Sequence, residues 1–356
     1  MTDTPRTFLA RIAGRDQRVV SGLPPDWRRV RWGMLAYIPA VVALAQVRRR
    51  IRFPRPVMIP LASLAPLAVS EALPRSRGRY AAVWATYMWL FKVAWEIPYD
   101  RPDRLGRRLR VASSVRLDSV IGRGEPPTLR LQRALRDPPR TTLLDVLLTA
   151  AYYGLWLTPH VVVMGILLRH EESFPRAAGR VSAVYHLNTV GYWIRPSAPP
   201  WWASEKEGEM DGAVQRVPRE VERALLERVR RALGREQRAQ RDEDDSYAGG
   251  NPWASMPSDH FVAACMTAMI LAEFGATAGA IGWAYVGVVG FAVVYLGEHY
   301  VVDLIASLAL SEGVRRAEPV ASPLLRLALW ILRALESPTR RGCHSRWSPR
   351  SVVRGT

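Results

Sequence analysis

Apolar segments alternate with arginine-rich connectors along this chain, and this alternation restricts its possible folds more than any other feature. A helix that rises about 1.5 Å per residue needs about 20 apolar residues to cross a bilayer. The chain is 49% hydrophobic, and its apolar residues are concentrated near 33–47, 57–73, 80–97, 142–168, 180–194, 257–274, 276–297 and 299–311. The pattern predicts an all-α, polytopic membrane helical bundle with six to eight spans.

The net charge of +18 comes largely from arginines beside the apolar segments. The main basic stretches are residues 48–55, residues 98–140 and the C-terminal tail. Basic residues that flank membrane helices contact anionic lipid headgroups and set the topology of the chain. We therefore expect membrane lipids as partners and no binding of nucleic acid.

The two cysteines give no sign of a disulfide framework or a metal centre. Cys265 lies in an apolar segment and Cys343 in the polar tail. Neither has the neighbouring ligands that a structural metal site requires. The sequence therefore predicts a protein without a metal or a cofactor.

The connectors divide the chain into five regions. These are a basic N-terminal lead (1–31), N-terminal membrane helices (32–97), an arginine-rich amphipathic interfacial segment (98–140), a second membrane domain (141–312) and a basic C-terminal tail (313–356). The second membrane domain contains a polar loop at 195–256, in which residues 217–241 carry apolar side chains at helical spacing. That stretch is predicted to be an amphipathic helix outside the bilayer core, either a solvated cap or a lid over a site where lipids enter.

Two histidines stand at the ends of a pair of apolar runs, 262–273 and 276–297. Because two consecutive membrane helices go out and come back, we expect His260 and His299 on the same membrane face. His260 lies just inside a helix that begins near Pro257, where Ser258 can cap free backbone amides that favour an anion. In that position His260 could exchange a proton with a leaving or attacking oxygen.

His299 is followed at helical spacing by Asp303. A separation of four residues places both side chains on one face of a helix, so the carboxylate can bond one imidazole nitrogen and leave the other as a nucleophile or base. An ionisable pair within a membrane is costly and indicates a functional site. Arg195, at the end of the preceding apolar segment, could hold phosphate oxygens in bidentate fashion.

Together these residues resemble three motifs of the type-2 phosphatidic acid phosphatase superfamily: Arg195-Pro196, Pro257-Ser258-x-His260 and His299-x-x-x-Asp303. The stretch from Arg195 to Trp201 looks most like the inositol phosphorylceramide synthase branch, and the resemblance covers about residues 180–312. It implies a six-helix membrane core and a metal-independent phosphohistidine mechanism. By that resemblance His299 attacks phosphorus, Asp303 orients it and His260 protonates the leaving group, while Arg195 and Ser258 bind phosphate.

Three positions depart from the family pattern. Asn188 stands where the phosphatases have a lysine, and Val293 stands where they have an arginine. Both changes remove a cation that would hold phosphate. Asp259 adds a carboxylate within the second motif, where a small or apolar residue is usual. Basic residues of the polar loop could supply the missing charge; they are Lys206, Arg216 and Arg219.

The leading hypothesis is an integral membrane phosphotransferase acting on lipid phosphoesters, with inositolphosphotransferase-like headgroup transfer. One alternative is a lipid phosphate phosphatase that uses water as acceptor. The departures at Asn188 and Val293 also allow a non-catalytic lipid transporter or degenerate family member. Since positive residues favour the cytoplasm, the distribution of charge favours an extracytoplasmic active site. We expect an integral protein of the plasma membrane.

Overall fold

The computed structural model describes residues 25–138, 140–232 and 250–335, and no β-strand occurs among them. The helices are α1 (Pro25–Val47), α2 (Arg55–Ala72), α3 (Arg77–Glu96), α4 (Pro102–Gly106), α5 (Ala112–Ile121), α6 (Pro127–Leu135), α7 (Leu143–Gly154), α8 (Thr158–Arg169), α9 (Phe174–Ile194), α10 (Pro200–Glu207), α11 (Val217–Ala232), α12 (Asp259–Ala272), α13 (Ala276–Tyr295) and α14 (Val301–Leu335). The predicted all-α bundle is confirmed. Most of the basic lead, the end of the amphipathic stretch 217–241 and the last part of the tail lie outside the described residues.

The chain forms two compact units. One comprises the described residues within Met1–Leu90 and Ala317–Thr356, and the other comprises those within Phe91–Arg316. In the first unit α1 packs antiparallel to α2, and the side chain of Arg31 donates to the carbonyl of Ala72 over 2.7 Å. The candidate site lies wholly within the second unit.

The second unit is built around the pair α12–α13. Helix α12 is buried on nearly all sides by α13, α9 and α8, which explains why its sequence after His260 is almost entirely apolar. Two glycines of α13 allow the close approach. A Cβ at Gly282 would lie 2.8 Å from Cα of Ala268, and one at Gly279 would lie 3.0 Å from Cα of Ala272. Small residues of this kind are typical of helix packing in membranes.

Two helices among the described residues are long and apolar enough to span a membrane, at Arg29–Val47 and Ala276–Tyr295. The pair α7–α8 adds a third if it counts as one span bent by 48°. The sequence-based number of six to eight spans is therefore higher than length and composition support. Helix α12 has only 14 residues, and α9 carries polar side chains such as Arg180 and Asn188.

The arginine-rich segment 98–140 folds into α4, α5 and α6 and contacts the turn between α13 and α14. The Gln132 side-chain amide donates to the carbonyl of Tyr295 at 2.8 Å and to that of Gln215 at 2.9 Å. Gly297 in this turn has φ +80°, and a Cβ there would lie 2.7 Å from the carbonyl oxygen of Gln215. The turn therefore requires glycine, and it delivers His299 to the start of α14.

Candidate active site

His299 lies in the turn before α14 and is 3% exposed. Its Nδ1 lies 3.0 Å from the carbonyl oxygen of Ser255 and 3.4 Å from Oδ2 of Asp303. Both neighbours are acceptors, so in the neutral ring Nδ1 carries the proton. The Nε2 lone pair is then left to face the cavity and His260.

Asp303 is fully buried, and two donors hold its carboxylate in place. Oδ2 accepts from the hydroxyl of Ser255 at 2.7 Å and from the backbone N–H of Tyr300 at 3.0 Å. The predicted four-residue pairing of His299 and Asp303 is therefore present in the structure. Burial alone would lower the pKa of His299, but the hydrogen bond and charge of Asp303, with smaller contributions from Asp259 and Glu298, raise the pKa above its ordinary value.

His260 lies in the first turn of α12, and its Nδ1 is 3.2 Å from Nε2 of His299. The same Nδ1 lies 2.8 Å from Oδ1 of Asp259. The ring lies between Tyr152 and Trp156, with centroid distances of 4.7 and 4.9 Å. The structure thus brings both histidines into contact, as expected from the out-and-back arrangement of two helices.

Ser258 caps α12. Its hydroxyl accepts from the backbone N–H of Phe261 at 3.2 Å, and its carbonyl accepts from the hydroxyl of Ser307 at 3.0 Å. The side chain is fully buried and is not part of the cavity wall. Its visible role is to join the start of α12 to α14, so that His260 and His299 keep their separation.

A cavity opens beside the two histidines. Its wall includes the carboxylates of Asp259 and Glu298 and the guanidinium of Arg216. Aromatic residues form much of the remainder; they are Trp95, Tyr152, Trp156 and Trp201. No signal in the sequence pointed to Trp95, Tyr152 or Trp156, because they come from α3, α7 and the α7–α8 break, far from the motifs.

Among the described residues that line the cavity, Arg216 is the one with a permanently cationic side chain. Its Nε donates to Oε1 of Glu298 over 2.7 Å, and its guanidinium carbon lies 4.8 Å from the ring centroid of Trp201. The ion pair and the cation–π contact fix the guanidinium beside the cavity. Arg216 was one of three loop residues that the sequence offered as a source of positive charge.

Arg195 ends α9, is exposed and does not line the cavity. Its neighbour Ser197 has a structural role instead, because its hydroxyl accepts from the backbone N–H of Met256 at 2.9 Å and its own N–H donates to the carbonyl of Trp253 at 3.1 Å. The segment after Arg195 is therefore hydrogen-bonded to the loop that precedes α12. In the structure this arginine and the two histidines do not meet.

The two positions that lack the family cations are both buried. The Asn188 side chain donates to the carbonyl of Pro257 at 3.3 Å and to the hydroxyl of Tyr192 at 2.5 Å. Val293 is 0% exposed within α13. Asn188 thus stabilises the turn before α12, and neither residue is part of the cavity wall.

Comparison with known proteins agrees with the geometry. Residues 128–313, just over half of the chain, match the sequence model of the PAP2 superfamily. Neither curated proteins nor solved structures gave a match. The matched region contains both histidines, Asp303 and Arg216, and its helices include a candidate membrane span. The chain therefore belongs to the PAP2 superfamily, as a membrane protein in a family of phosphatases and phosphotransferases that act on phosphoesters.

Proposed function

We propose that this protein transfers phosphoryl groups of membrane lipids through a phosphohistidine at His299. The observation that carries the proposal is the pair of acceptors beside Nδ1 of that ring. Because Nδ1 faces the Ser255 carbonyl and Asp303, the Nε2 lone pair is directed toward the cavity and His260. A nucleophile oriented by a third group in this way is the usual arrangement for covalent catalysis.

The reaction proceeds in two steps. Nε2 of His299 bonds to phosphorus while the bond from phosphorus to the leaving oxygen breaks, and protonated His260 gives its proton to that oxygen. An acceptor hydroxyl then gives a proton to His260 and bonds to phosphorus, while the nitrogen–phosphorus bond breaks. Asp303 stabilises the cationic imidazole that forms during attack.

Arg216 is the phosphate-contacting arginine of this proposal. It lies in the cavity wall with His260 and His299, whereas Arg195 is exposed at the end of α9. A planar guanidinium can bind two phosphate oxygens and oppose the charge that develops on them. When substrate binds, the Arg216 guanidinium would either contact both Glu298 and the phosphate or exchange Glu298 for the phosphate.

Headgroup transfer of the inositolphosphotransferase kind is the finer form of the proposal. It rests on the resemblance of the stretch from Arg195 to Trp201, of which Pro199 and Trp201 line the cavity. An acceptor hydroxyl on a second lipid would replace water. We further propose that the active site is extracytoplasmic, on the basis of the charge distribution, and that the membrane is the plasma membrane.

The test is a transfer assay with purified protein in mixed micelles. A phosphatidylinositol labelled in the headgroup is incubated with a lipid acceptor, and both labelled lipid product and released inositol phosphate are measured. Phosphate release from phosphatidic acid is measured in a parallel assay. Label on the second lipid supports transfer, whereas release of inositol phosphate or phosphate alone, with water as acceptor, supports the phosphatase. Lipid movement across vesicles that persists in His299→Ala, with no turnover in the wild type, would support the transporter instead.

A further inference from the structure

We propose that Asp259, His260 and His299 form a binding site for a divalent transition-metal ion of the zinc type, and that an ion bound there blocks the phosphohistidine route. The metal site stands on geometry alone. Its inhibitory effect rests on the function proposed above. The sequence motifs alone do not indicate this metal site, because Asp259 and His299 lie far apart along the chain.

The spacing of the donor atoms matches a coordination sphere. Nδ1 of His260 lies 3.2 Å from Nε2 of His299 and 2.8 Å from Oδ1 of Asp259. One ligand atom from each residue lies within 4.8 Å of the others. Ligands about 2.0–2.2 Å from a tetrahedral zinc ion are about 3.3 Å apart. Small side-chain movements would therefore allow all three residues to bind one metal ion.

The three atoms also present an excess of lone pairs. Nε2 of His299 has no proton when Nδ1 donates to Ser255 or Asp303. The carboxylate of Asp259 is an acceptor as well, so a single proton on Nδ1 of His260 has two competing acceptors. A metal ion satisfies all three lone pairs together. The His260 proton then moves to Nε2, which has no hydrogen-bond partner within the described part of the chain.

The charge of the cavity favours a cation at this point. Among the described residues that line it, two carboxylates face one guanidinium. Arg216 is paired with Glu298 at 2.7 Å, which leaves Asp259 with contacts to the backbone and ring of His260. While the His260 ring is neutral, this buried carboxylate has no cationic contact among the described residues, which is costly. A divalent ion would compensate both it and the nearby Asp303.

An ion in this position uses the electron pair that would attack phosphorus. Nε2 of His299 cannot bind the metal and form a bond to phosphorus at the same time. Occupancy and turnover are therefore mutually exclusive, and removal of the ion restores the free nucleophile. The remaining coordination position faces the cavity, where water or a phosphate oxygen can bind.

Binding is tested with Co²⁺ and Zn²⁺ on the full-length protein in detergent after treatment with a chelator. We expect one equivalent of Co²⁺, with visible absorption bands typical of a four-coordinate nitrogen and oxygen site, and displacement by Zn²⁺. Asp259→Ala and His299→Ala should each weaken binding at least 100-fold, and Asp259→Asn at least tenfold. The matched control is His186→Ala, a half-buried histidine of α9 outside the cavity, which should bind as the wild type does.

Circular dichroism and gel filtration establish that each variant is folded. Absence of stoichiometric binding to the wild type would overturn the proposal, as would unchanged affinity in a folded Asp259→Asn protein. A phosphohistidine trapped without any metal binding refutes the metal site and leaves the proposed function intact. Metal binding that depends on Asp259, combined with no phosphoenzyme in chelator-treated protein, supports the metal site and refutes the proposed function.

Discussion

Nδ1 of His299 lies closer to the carbonyl oxygen of Ser255, at 3.0 Å, than to Oδ2 of Asp303, at 3.4 Å. Ser255 also donates its hydroxyl to that same carboxylate over 2.7 Å. One residue of the loop before α12 thus orients both members of the histidine–aspartate pair. The tautomer of His299 therefore does not depend on Asp303 alone, and Asp303 adds its negative charge beside the ring.

We expect His299→Ala to abolish turnover and His299→Gln to do the same while lipid binding is retained. The covalent route requires the imidazole nitrogen, whereas binding depends on the apolar walls and Arg216. Turnover and lipid binding are measured separately in micelles. A variant that keeps more than a few percent of the wild-type rate would exclude a phosphohistidine at this position.

Asp303→Asn should reduce kcat by about 100-fold and change KM little. Loss of the carboxylate in a serine protease costs about 10⁴-fold because the wrong tautomer forms. Here the Ser255 carbonyl still accepts from Nδ1, so the loss should be smaller and should reflect charge. Steady-state kinetics measure it; an unaltered kcat would mean that the pair is structural.

The rate should rise with pH, and the midpoint of this acidic limb of the pH profile should lie above the ordinary histidine pKa of about 6.5. Neighbouring carboxylates raise the pKa of His299, and only the neutral ring can attack, so protonation at low pH removes the nucleophile. Asp303→Asn removes the largest of the contributions that raise the pKa, and its limb should move to lower pH. Profiles of kcat/KM in the presence of a chelator test this, and a limb that stays in place or moves upward would contradict it.

Arg216→Gln should lower kcat/KM by about 10²-fold, because the phosphate loses its charged donor in the cavity. Arg195→Gln is the matched comparison and should stay within about twofold of the wild type. Both are assayed with the same lipid phosphoester. The reverse ranking would favour the role that the family motif assigns to Arg195 over the geometry of the cavity.

Asp118 of α5 should make stability depend on pH. Its Oδ1 accepts from the backbone N–H of Val302 at 3.0 Å, while burial, with a further contribution from the charge of Asp303, raises its pKa to about 6. An acid with a raised pKa in the folded state adds stability below its ordinary pKa of about 3.8, and loses that contribution as pH rises to about 6.

Asp118→Asn keeps an acceptor for Val302 and removes the titration. The difference in apparent thermal midpoint between variant and wild type should therefore grow in favour of the variant from about pH 4 to 6. Thermal unfolding of both proteins in one detergent measures this difference. A constant difference across that range would show that the carboxyl does not titrate there.

Local sequence was sufficient to predict the helices and the proximity of the two histidines. Apolar runs of the right length predicted α13 and its neighbours, and a spacing of four predicted the pairing of His299 with Asp303. The apolar runs follow helical periodicity, which depends on neighbours along the chain. The pairing is present although His299 lies in the turn before α14 and not on the helix that carries Asp303. The number of spans was less predictable, because buried polar residues such as Asn188 lower the hydropathy of helices that pack inside the bundle.

Only the tertiary structure decided which charges face the cavity. Arg195 follows a helix whose end is exposed, whereas Arg216 is held beside Glu298 and Trp201 by contacts between segments far apart in sequence. The convergence of Asp259 on both histidines likewise depends on how α12 packs against the turn before α14. Sequence thus determined which groups are present and on which helical face, and long-range packing determined which of them meet.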